Sequence, residues 1–245
     1  MPTVLVINAN TSAAITELVV KHLRAAMPED VVLRPVTGRF GAAYIATEAA
    51  NVIAGHAAVD AFARNAGDCD AVLVACFGDP GLFALRELSP VPVVGMAEAS
   101  MRFAAAQAER FSIVTGGKRW PAMLERLACA LGHGNQLLGV RGISLTGAQI
   151  AADPDAALGV LAEACRAARD EDGAGAVILG GAGLAGLGAR VARIVGFPVI
   201  DSVIASAHEA VRLARGGEWA YAKPVPGELT PSTGLDAALA RWLTD

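Results

Sequence analysis

Residues 70–78 read Asp-Ala-Val-Leu-Val-Ala-Cys-Phe-Gly and residues 175–183 read Gly-Ala-Val-Ile-Leu-Gly-Gly-Ala-Gly. Each is a short apolar run rich in valine, isoleucine and leucine, closed by small residues, the pattern of a buried strand that feeds a loop. The two stretches superpose at an offset of 105 positions, from 76 to 181. The match extends in both directions. Residues 91–94 (VPVV) lie over 197–200 (FPVI) at an offset of 106, which also places Ser100 on Ser206, and residues 6–10 (VINAN) lie over 113–117 (IVTGG) at 107. Three segments in the same order at nearly constant offset describe an internal repeat.

Working outward from these runs, strands are expected at 3–8, 31–36, 71–75, 91–95, 111–115, 136–141, 176–179 and 198–200. Helical spacing of Ala, Leu and charged residues fills 13–27, 49–66, 97–108, 118–131, 155–170, 184–195 and 202–215. Alternating strands and helices predict an α/β fold with parallel sheets and right-handed crossovers. The repeat makes it two similar Rossmann-like lobes related by a pseudo-two-fold axis. The first covers 1–95, completed by about 202–245, and the second covers 96–201. Ligands of open α/β sheets bind outside the carboxyl ends of the strands. The loops 8–12, 75–80, 115–118 and 180–183 should therefore meet in a cleft between the lobes, with Cys76 and Gly181 on opposite sides of it.

Composition narrows the function. A chain of 245 residues, 54% of them apolar, can bury a sizeable core. A net charge of −4 and a pI near 5.6 speak against a nucleic-acid partner, which calls for clustered Lys and Arg. No apolar run is long enough for a membrane span, and the one at 4–7 is too short for a signal peptide. A cytoplasmic, homo-oligomeric protein with a small-molecule substrate is expected. The four cysteines form no CxxC pair and have no histidine at metal-ligand spacing, so neither a disulfide framework nor a metal is expected. Cys69, Cys129 and Cys165 read as buried small hydrophobes.

Cys76 stands apart because it closes a strand inside the cleft. Asp79-Pro80 behind it reads as the N-cap and first residue of a helix, and a thiol beside a helix start is expected to titrate below its usual pKa of about 8.5. Such a thiolate can take a proton from carbon or attack an electrophile. Phe77 reads either as a pocket wall or as core. Asn10 and Thr11 in the first loop, and Thr115 and Gly116 in the third, present amides and short polar groups suited to a carboxylate or an imide oxygen, with Thr11 or Ser12 capping the helix that follows. Glycines at 181, 183 and 186 match a dinucleotide-binding spacing, but no suitably placed acidic residue follows, apart from Asp201 at the end of a very short strand. His22, His56 and His133 read as surface residues. His208 reads as a surface helix residue or as an auxiliary group near the second-lobe loop.

The segments 8–12 (NANTS), 76–82 (CFGDPGL), 111–117 (FSIVTGG) and 178–183 (ILGGAG) resemble the hydantoin and allantoin racemase branch of the aspartate/glutamate racemase superfamily. The likeness runs from Val4 to about Ala214. It implies a racemase with no metal and no organic cofactor, its substrate held between two α/β lobes. From the loops, the residues expected to bind that substrate are Asn10, Thr11, Phe77, Gly78, Thr115, Gly116, Gly181 and Ala182. In that family one cysteine per lobe faces the acidic carbon. The first matches Cys76, and the second falls on Gly181, where this chain has no thiol. A single thiol then serves if the intermediate turns over, if a water stands in at Gly181, or if Asp79 or His208 reaches the far face. The resemblance also leaves room for a one-thiol decarboxylase of the arylmalonate type, a maleate cis–trans isomerase, or a binding protein without turnover.

Overall fold

A computed structural model describes residues 1–219 and 233–243. Its frame is a pair of four-stranded parallel sheets. The first contains β1 (Thr3–Asn8), β2 (Val32–Thr37), β3 (Ala71–Val74) and β4 (Val93–Gly95) in the order β2-β1-β3-β4. The second contains β5 (Phe111–Gly116), β6 (Leu137–Ile143), β7 (Ala176–Gly180) and β8 (Ile200–Asp201) in the order β6-β5-β7-β8. The strand order is the same in both, as the repeat requires.

Sequence explains the placement. β3 and β7 are buried along their whole length and β1 from its second residue, which is where continuous Val/Ile/Leu runs belong in a sheet covered on both faces. β2 is an edge strand and holds Arg34 and Pro35, residues that an inner strand would exclude. Parallel register pairs Ile7 with both Val36 and Val74, and Val114 with Leu179, so the inner strands end level with one another.

The covering helices are α1 (Ala13–Ala26), α2 (Glu48–Asn65), α3 (Leu82–Leu88), α4 (Met96–Gln107), α5 (Trp120–Ala130), α6 (Gly147–Ala152), α7 (Pro154–Asp170), α8 (Gly188–Val195), α9 (Ser202–Ala214) and α10 (Ala237–Trp242). After β8 the chain packs α9 against α1 and α4, and Val203, Ala207, Ala210 and Leu213 join the core built around β1 and β3. α10 lies on α2, with the Trp242 ring tilted against Phe62 at 4.9 Å between centroids. Among the described residues no helix is long and apolar enough to cross a membrane.

Three local expectations need correction. The helix expected at 184–195 is divided: a 3-10 turn at Ala182–Leu184 is separated from α8 by Gly186 at φ 79°, which breaks the helical path. Asp79 and Pro80 do not start α3. That helix begins at Leu82 with Gly81 as its cap, and Asp79 sits in the turn at φ 45°. Cys129 is exposed rather than buried, while Cys69 and Cys165 are buried.

Candidate active site between the two sheets

The loops at the carboxyl ends of β1, β3, β5 and β7 enclose a cavity of about 520 Å³. Each loop is held by its own short-range chemistry. In the first, Asn8 Nδ2 donates to Asn10 Oδ1 (2.9 Å), the Ser12 carbonyl (3.1 Å) and Thr16 Oγ1 (2.9 Å), which winds the chain directly into α1. Asn10 Oδ1 also accepts from the Ser12 amide (2.8 Å), and its NH2 group is left to donate toward the cavity. Ser12 caps α1 by accepting from Ile15 N.

Phe77 lies across the gap between the sheets. A Cβ on Gly180 would sit 2.2 Å from its Cε1, so a glycine at 180 is required for the ring to reach β7. Thr115 Oγ1 donates to the Gly180 carbonyl (2.8 Å), locking β5 to β7 at the cavity floor. Gly181 follows with φ 146° and ψ 137°, a conformation that side-chain-bearing residues rarely adopt, and its amide donates to Ser202 Oγ (3.2 Å).

The cavity brings together Asn10, Cys76, Phe77, Thr115, Gly116, Gly181 and Ala182. Four other residues named from sequence lie elsewhere. Thr11 is turned aside, its amide donating to the Ala42 carbonyl (3.2 Å). Gly78 lies under Trp120 beside a smaller adjoining cavity. The Asp79 carboxylate points away from the site, accepting from Ala97 N (2.9 Å) and Glu98 N (2.8 Å). His208 is exposed on α9 and lines a separate groove with Phe103 and Ile204.

Sequence reading missed Tyr44, Trp120 and the walls formed by Ile15, Leu18, Ala148, Ala151 and Ala152. Tyr44 reaches from the first sheet's side to the second: its hydroxyl donates to the Gly116 carbonyl (3.2 Å) and accepts from Gly147 N (3.4 Å). The Ala148 wall belongs to α6, whose capping box of Thr146 and Gln149 was a readable helix signal.

Cys76 is only 6% exposed, and burial, with Asp79 adding to it, pushes its thiol up to about 12. This corrects the expectation of a lowered pKa. α3 starts six residues later, at Leu82 with Gly81 as its cap, so it does not follow directly on the sulfur as the sequence reading expects. Among the described residues the cavity lining carries no Asp, Glu, Lys, Arg or His, and the ionisable side chains facing it are the Cys76 thiol and the Tyr44 phenol.

Residues 4–210 match the family model described as Asp/Glu/Hydantoin racemase. A hydantoin racemase from Pseudomonas sp. (strain NS671) is 34% identical over 201 residues, 82% of this chain and 81% of that protein. The crystal structure of allantoin racemase from Pseudomonas fluorescens superposes with a TM-score of 0.86 at 30% identity, covering 93% of this chain and 99% of its own. Arylmalonate decarboxylase shares the fold at a TM-score of 0.62 and 22% identity, over 89% and 94% of the two chains.

Proposed function

The chain belongs to the Asp/Glu/hydantoin racemase family and is on that ground an isomerase of the racemase type; we propose that it acts without a cofactor on neutral 5-substituted hydantoins, with Cys76 moving the proton at ring carbon 5. The observation that carries this reading is the cavity, which among the described residues has one thiol, a few neutral donors, apolar walls and no charged side chain. A free amino acid or a dicarboxylate would bury its charges there without a counter-ion, which is costly. A hydantoin has no fixed charge, and an apolar 5-substituent suits the wall of Ile15, Leu18, Ala148, Ala151 and Leu184.

The chemistry follows from the groups present. Carbon 5 of a hydantoin is acidified by the adjacent ring carbonyl. The Cys76 thiolate takes that hydrogen and becomes the thiol, while the electron pair moves onto the carbonyl oxygen. Asn10 Nδ2 and the Ser12 hydroxyl are side-chain donors in the lining that can serve that oxygen. Return of the proton from Cys76 regenerates the starting enantiomer. Delivery from the Gly181 side gives the other, and with no side chain at 181 that proton comes from water. The hydroxide so formed takes the proton held by Cys76. When the Cys76 S–H swaps its hydrogen with solvent before returning it, the ring hydrogen exchanges without inversion, and exchange then outpaces inversion.

Activity is tested with an enantiopure 5-benzylhydantoin, following loss of optical rotation with and without Cys76→Ser. Cys76-dependent loss supports the reading. Retained binding with no rotation change and no solvent exchange points instead to a protein that binds without turnover.

A further inference from the structure

The two sheets treat the helix that follows their fourth strand in different ways. α9 is capped by its own Asp201, whose Oδ1 accepts from the amides of Val203 (3.0 Å) and Ile204 (3.3 Å). The equivalent position ahead of α4, 106 residues earlier, is Gly95, which has no side chain to offer. The matching amides, Ala97 and Glu98, are instead served by Asp79, from the turn that carries Cys76. A Cβ on Gly95 would lie 2.3 Å from Asp79 Oδ2, so the borrowed carboxylate occupies the space that a capping side chain at 95 would need.

Both carboxylates tie a cavity loop to a helix, from opposite directions. Asp201 Oδ2 accepts from Gly186 N (2.9 Å) and Gly188 N (3.2 Å), holding the loop that follows Gly181. Asp79 reaches out of the Cys76 turn at φ 45°, a left-handed conformation that disfavours residues with a Cβ. Cys76 closes the same turn, its carbonyl accepting from Gly78 N and Asp79 N (3.0 Å each).

We propose that Asp79 is a positioning residue for Cys76, tying the thiol's turn to the first turn of α4 and placing a carboxyl group within electrostatic reach of the sulfur. The reading of Cys76 as the proton-moving group underlies the kinetic part of this proposal. The groups facing the Asp79 carboxyl are Glu98 on α4 and Arg86 on α3, themselves an ion pair, with Arg86 Nε also bonded to the Val93 carbonyl (3.3 Å). Burial pushes the Asp79 carboxyl up to about 7 against the pull of the two amides, so its charge changes near neutrality, and in its anionic form it holds the thiol's proton more tightly.

Two measurements on the full chain separate positioning from simple helix capping. With cysteine labelled at 13Cβ and the Cys76 signal assigned by Cys76→Ser, that signal should shift as a carboxyl titrates near pH 7, and the inflection should vanish in Asp79→Asn. The second uses the exchange variant carrying both Asp79→Gly and Gly95→Asp, which returns the cap to the arrangement seen at α9. It should regain most of the melting temperature lost in Asp79→Gly while kcat stays down by about tenfold or more, toward the roughly 10²-fold that a misplaced catalytic group can cost, with KM little changed. A flat Cys76 signal from roughly pH 5 to 9, or recovery of kcat together with stability, overturns the proposal. The NMR arm needs no substrate, so failure of the hydantoin reading alone would leave the inflection in place.

Discussion

Installing a thiol opposite Cys76 tests whether the far face lacks only a proton donor. Gly181→Cys must accept φ 146°, and its Cβ would approach Leu184 Cδ1 to 3.0 Å. A backbone in a sparsely populated region costs about 1–3 kcal/mol. For a chain of this size each kcal/mol moves the melting temperature by about 2–4 °C, so a fall of roughly 2–12 °C is expected. Gly181→Ala carries the same strain without the thiol and is the matched control. Inversion of an enantiopure hydantoin should rise in Gly181→Cys over Gly181→Ala, toward the roughly 10²–10⁴-fold that a placed acid or base contributes. Calorimetric binding on both variants separates lost affinity from missing chemistry. Equal inversion rates in the two variants with binding retained would refute the far-face argument, and an unchanged melting temperature would refute the backbone argument.

Because the Cys76 thiol is pushed up to about 12, kcat/KM should climb about tenfold per pH unit from pH 7 to 9, and a plateau near neutrality would contradict that burial. The same raised values at Cys76 and Cys165 favour the folded protein below the ordinary thiol pKa of about 8.5 and lose that contribution as pH rises toward 12, so stability measured by urea titration should fall across that window. Iodoacetamide should modify exposed Cys129 first, and in Cys129→Ser it should reach Cys76 slowly, with protection by a bound hydantoin, ahead of buried Cys165. A 5-benzylhydantoin should react with at least about tenfold higher kcat/KM than a hydantoin whose 5-substituent ends in a carboxylate, since the walls offer that charge no partner.

The fold was legible because inner strands of a parallel sheet must be apolar on both faces, and that requirement is written twice, at 70–78 and again at 175–183. The convergence of the Asn10, Cys76, Thr115 and Gly181 loops then followed from the strand order. The details that failed depend on partners distant in sequence. Asp79 reads locally as a helix cap, and it does cap a helix, but one that begins seventeen residues later, at Met96, because Gly95 leaves the place open. The expected lowering of the Cys76 thiol fails for the same reason: the local sequence predicts a helix at its side, whereas the chain runs through a tight turn to Gly81 first. Cys129 shares the Ala/Leu-rich pattern of Cys165, yet it faces outward on α5, where the periodicity of a short helix leaves the buried stripe ambiguous. Tyr44 lies in a connection without periodic signal, and its contact with Gly116 and Gly147 exists only once the two sheets are brought together.

The central claim is that Cys76 moves the hydrogen of ring carbon 5, and proton NMR of an enantiopure 5-benzylhydantoin in deuterated water tests it most directly. The expected result is loss of the carbon 5 signal catalysed by the wild-type chain, faster than optical rotation decays, and abolished by Cys76→Ser. Exchange that survives Cys76→Ser, or none above the uncatalysed rate at a substrate concentration shown to saturate the cavity, would contradict it.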